Sequence, residues 1–90
     1  MKIRNNDLAK LNELKLDLLS PPYTFRLSSI AAGFIDSSIE IIKKYVAEND
    51  SSIGQLNELK IQIESANEMP QIRKLCKEAA AIITYFTRGT

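Results

Sequence analysis

"LNELKLDLLSPP", Leu11–Pro22, decides how the rest of the chain is read. Leu11, Leu14 and Leu18, with Leu8 before them, recur at helical spacing. Two prolines then stop the pattern, because the residue before a proline avoids the helical region. The boundary therefore falls at Leu19 or Ser20. Asn5 and Asn6 are good N-caps, and Asp7 in the first turn suits the helix dipole. The spacing predicts a first helix over about 6–19.

The first five letters of this stretch return at Leu56–Lys60. Each copy is followed by an apolar-polar-apolar triplet, "LDL" and "IQI", then a serine, Ser20 or Ser65, and a proline, Pro22 or Pro70, at the next helix. Past the prolines the halves also align, Leu27 on Leu75, Ala31 on Ala79, Phe34 on Ile82 and Ile35 on Ile83, once the "ANE" of the second loop is set aside. The chain reads as one helical hairpin written twice. The competing account is that leucine, glutamate and lysine are helix formers, so short helical words recur by composition. Four helices follow from either.

The second helix is expected over about 22–47, with Ser20 as its cap and proline tolerated in its first turn. Its apolar residues, from Tyr23 through Val46, fill about half the circumference, with Ala32 and Gly33 on the opposite half. Ala31 and Ser38 lie mid-stripe, where small residues permit close helix approach. The third helix is expected over about 52–66, opened by a Ser52–Gln55 capping box. The fourth, over about 70–88 and terminated by Gly89, places Ile72, Leu75, Cys76, Ala79, Ile82, Ile83 and Phe86 on one face. The fold class is all-α, an antiparallel four-helix bundle in a single domain, with Phe34, Ile42, Leu75 and Ile82 in its core.

Composition excludes much chemistry. The 90 residues are 44% hydrophobic and 26% charged with a net charge of +1, so nothing global draws the chain to nucleic acid or an anionic membrane. Histidine is absent, which removes Ser-His-Asp and Cys-His catalysis and histidine metal sites. The one cysteine, Cys76, sits within an apolar face and reads as a small buried hydrophobe. No cofactor or metal is implied, and the chain reads as non-enzymatic. No apolar stretch approaches the ~20 residues of a membrane span, and "MKIRNNDLAK" does not read as a secretory signal. A cytoplasmic location is the expectation.

The candidate contact residues stand off the apolar stripes. Leu16 and Ile61 occupy equivalent places after the two "LNELK" copies, and Phe25 and Tyr85 fall on polar sides of their helices. Single exposed apolar residues are ordinary, but a cluster would mark a contact surface. Arg73, Lys74 and Lys77 line the outer side of the last helix, while the stretch from Glu48 to Glu68 holds five acids and one lysine. Such cations are most often a solvated face, and Glu78 interrupts them.

In length and helix layout the chain resembles the small immunity proteins of class II bacteriocins, which are antiparallel four-helix bundles. The likeness spans the whole chain and carries no specific motif. It implies a protein that protects its producer by binding. The expected function is a small protein-binding module, an inhibitor, immunity protein or adaptor, whose partner is another protein or a second copy of the chain. The alternative is a dimeric nucleic-acid-binding regulator using the basic side of the last helix.

Overall fold

The computed structural model describes residues 2–88, so Gly89 lies outside them. Four helices follow in order: α1 (Asn5–Leu19), α2 (Leu27–Ile42), α3 (Ser51–Ser65) and α4 (Met69–Arg88). The fold is 76% helical with no strand among the described residues. Each helix packs on two others in the ring α1–α4–α3–α2, and α2 also meets α4 across the diagonal, whereas α1 and α3 do not touch. Ala31 and Ser38 of α2 and Ala79 of α4 are wholly buried, small side chains that permit close helix approach.

Contacts at the ends give the antiparallel sense. Tyr45, after α2, hydrogen-bonds Asp7 at the start of α1. Tyr23, before α2, meets Arg73 near the start of α4. One end of the bundle thus holds the α1–α2 loop, the end of α3 and the start of α4. The other holds the N-terminal arm, the α2–α3 loop and the end of α4.

Positions that align between the two halves of the sequence are buried alike. Leu11 and Leu56, Leu18 and Ile63, Ala31 and Ala79, and Ile35 and Ile83 are all fully buried pairs. Exchanging α1 with α3 and α2 with α4 leaves the ring of neighbours unchanged.

Several local expectations are corrected. The second helix begins at Leu27 and not near 22, and it ends at Ile42 and not near 47. Thr24 explains the late start: its Oγ1 accepts from the Arg26 amide at 3.3 Å and its carbonyl from the Leu27 amide at 3.1 Å, an alternative to the helical ladder. Its end tightens through bonds from the Lys44 amide to Ile41 O and the Tyr45 amide to Ile42 O. Ser20 therefore caps nothing at α2, whose first turn follows Arg26 without a side-chain cap. Asn5 and Asn6 lie inside α1, which follows Arg4. The cap of α3 is Asp50, whose Oδ1 accepts from the Ser52 amide at 2.9 Å, so the Ser52–Gln55 box does not open this helix.

Burial also differs in places. Ala32, assigned to the outer half of α2, is buried, as is Ala80 of α4. Both helices touch three neighbours, which widens their buried arcs beyond what a two-neighbour stripe implies. Ile42 and Leu75 are buried as expected, whereas Phe34 and Ile82 are only half-buried at the rim of the core. Ile3, in the N-terminal arm, is buried and joins the core without any periodic signal.

Candidate protein-contact site

Most of the exposed large apolar side chains gather at the end that holds the α1–α2 loop. Leu16 of α1 and Ile61 of α3 are 61% and 59% exposed. Leu19, Tyr23 and Phe25 are exposed as well, Phe25 almost completely at 94%. Leu16 and Ile61 belong to α1 and α3, which do not touch. Leu19 was missed in the sequence, where it served only as a helix boundary. Tyr23 was assigned to the apolar stripe of the second helix, yet it precedes α2 and is exposed.

At this same end the three candidate cations come together. Tyr23, Met69, Pro70, Arg73, Lys74 and Lys77 line a surface depression of about 450 Å³. Arg73 Nη1 donates to the Tyr23 hydroxyl, and its guanidinium carbon lies 5.1 Å from that ring's centroid. Arg26 stands 5.8 Å from the Phe25 ring centroid in the same sense. Each is an arginine–aromatic pair of the cation–π type.

Tyr85 does not belong with this group. It lies at the opposite end, 68% exposed, with its ring edge-on to Phe86 at 5.4 Å between centroids. It opens a groove along the α3–α4 seam. Gln55, Glu58, Leu59, Glu78, Ala81 and Ile82 line about 460 Å³ of it. Gln55 and Ile82 continue into a second hollow with Val46, Asp50 and Tyr85.

The remaining polar features hold the fold together. The Tyr45 hydroxyl donates to Asp7, while Lys44 Nζ lies 3.4 Å from the Asp7 carboxylate. The Tyr45 hydrogen bond, with Lys44 and Arg4 assisting against partial desolvation, holds the Asp7 carboxyl below its ordinary value. The same Tyr45 oxygen accepts from the Arg4 amide at 3.3 Å, tying the N-terminal arm to the end of α2. Lys60 Nζ, 2.8 Å from Asp36, ties α3 to α2, and that partner raises the lysine's pKa. Burial pushes the Cys76 thiol up to about 11, and a buried thiol that resists ionisation is a poor nucleophile.

Among the described residues, no three metal-ligating side chains of the His, Cys, Asp and Glu type are grouped to hold an ion. No buried side-chain nitrogen or oxygen there lacks a hydrogen-bond partner. No helix among them is long and apolar enough to cross a membrane. The chemistry that this surface presents is that of exposed apolar side chains, aromatic rings and fixed charges. Comparison with known proteins finds no matching family model, no similar characterised protein and no similar solved structure.

Proposed function

We propose that this chain is a small, non-enzymatic protein-binding module that acts by helical-surface contact, as an inhibitor, immunity protein or adaptor does. The observation that carries the reading is the set Leu16, Leu19, Tyr23, Phe25 and Ile61, large apolar side chains left exposed at one end and interleaved with Arg26, Arg73, Lys74 and Lys77. Aromatic and arginine side chains dominate the binding energy of protein interfaces. The likeness to bacteriocin immunity proteins rests on length and helix layout, and it agrees with a partner-binding role.

The test uses Leu16→Gln and Ile61→Gln. Urea midpoints should stay within about 1 kcal/mol of the parent chain, as exposed positions allow. Sedimentation of the chain alone, and capture of its partner from the source cell, should show weakened association. Large losses of stability in both variants would assign these residues to the fold and remove the argument.

A second reading is favoured by one feature, the gathering of Arg73, Lys74 and Lys77 beside Tyr23. It is the dimeric nucleic-acid-binding regulator. Affinity for duplex DNA that falls steeply with salt and is lost in Lys74→Ala/Lys77→Ala would support it. Salt-insensitive or absent DNA binding would leave the protein-binding module alone.

A further inference from the structure

A groove runs along the α3–α4 seam. At the sequence offsets that align the two halves, Phe34, Ile30 and Leu14 of the first half fall on Ile82, Glu78 and Leu59 of the second. Leu14 is buried, whereas Leu59 is only half-buried. Phenylalanine is bulkier than isoleucine, and Ile30 supplies apolar cover where Glu78 supplies a charge. In the first half Tyr45 also joins the end of α2 to the start of α1 through Asp7. The α3–α4 seam is left with an apolar floor of Leu59, Ala81 and Ile82. Glu58 rims one side from α3 and Glu78 the other from α4.

Neither rim carboxylate is in an ion pair among the described residues. Glu58 accepts a hydrogen bond from Gln62 of its own helix. Lys74, one turn before Glu78, already belongs to the basic end of α4. Two acids facing each other across an apolar floor select a ligand that is apolar in the middle and cationic on both flanks. A channel between two adjacent helices takes a third helix, laid along it as in any bundle. From Asp50 to Glu58, or from Glu78 to Tyr85, is roughly 10–12 Å at the helical rise, about two turns of an occupant. No helix of this chain offers a free apolar stripe with paired basic flanks, since the stripe of α4 is committed to the core.

We infer that the α3–α4 groove is a docking site for a cationic amphipathic helix of a partner, with its apolar stripe on Leu59, Ala81 and Ile82 and its lysines or arginines on Glu58 and Glu78. The inference rests on the protein-binding reading but places a second contact, away from Leu16 and Ile61.

The probe is a fluorescent synthetic helix with leucines at i, i+3, i+4 and i+7 flanked by lysines. A control peptide carries glutamate at each lysine position. The lysine probe should bind saturably in the micromolar range, more weakly as salt is raised, and the glutamate probe at least tenfold less well. Glu58→Lys/Glu78→Lys should reverse that preference. Ile82→Phe, which imitates Phe34, should weaken binding of the lysine probe at least tenfold while the circular-dichroism spectrum stays helical. Leu16→Gln/Ile61→Gln should leave it unchanged. Equal binding of both probes, no saturable binding, or indifference to the charge reversal would overturn the site. Loss of probe binding in Leu16→Gln/Ile61→Gln would move the contact to the other end and overturn it too. Partner association that depends on Leu16 and Ile61 while the groove stays inert would sink this inference and leave the binding-module reading intact.

Discussion

Ile82 and Ile83 are neighbours in sequence with opposite fates, and they show what a single position decides. Ile83 is fully buried, while Ile82 sits half-buried at the open α3–α4 seam. Both fall within the periodic face of the last helix, so periodicity alone ranks them together. Ile83→Ala should cost about 2–5 kcal/mol in urea melts, through lost transfer energy and the cavity left behind. Ile82→Ala should cost about 1–2 kcal/mol, since part of its side chain is already in water. Equal losses would mean that the seam is closed in solution. The off-stripe positions were the most legible: Leu16, Ile61, Phe25 and Tyr85 are all exposed. Tyr23 was not legible, because a tyrosine following two prolines fits both a first helical turn and a solvent-facing loop.

Among the helices, existence and order were legible and the caps were not. The apolar spacing located all four, since burying one face requires a 3.6-residue repeat whatever the partner. Caps are chosen by whichever oxygen reaches the free amides first. At α3, Asp50 wins over Ser52, as its carboxylate accepts from the Ser52 amide. Asp50→Ala should therefore cost about 1 kcal/mol, as loss of an N-cap does. Ser52→Ala should stay within about 0.5 kcal/mol, as a helix residue whose side chain does no capping should. The reverse order in thermal or urea melts would restore the capping box. At α2 the deciding factor is the bonding around Thr24, which holds residues 24–26 in turns and leaves Phe25 in solvent.

At the level of the bundle, the end that holds the N-terminal arm is closed by long-range contacts that join residues about forty positions apart, Tyr45 with Asp7 and with the Arg4 amide. Because Asp7 titrates below its ordinary 3.8, the folded state holds the carboxylate more readily than the unfolded chain does. That contribution is complete above 3.8 and is lost as the pH falls through the depressed folded value. Tyr45→Phe removes the main cause of the depression. The variant should be less stable than the parent near neutral pH, and the difference should shrink on acidification below 3.8, as followed by helical ellipticity in urea at each pH. A gap that stays constant with pH would show that the tyrosine acts through packing alone.

The apolar periodicity and the proline breaks were enough to give four helices and their order. Each follows from local sterics and from the need of every helix to bury one face. The ring of neighbours, the α2–α4 diagonal, and the burial of Ala32, Ala80 and Ile3 were settled only by packing. So was the separation of Tyr85 from the basic end, together with the groove left beside Ile82. These depend on which helix lies beside which, and a helical repeat says how much surface a helix buries without naming the neighbour that covers it.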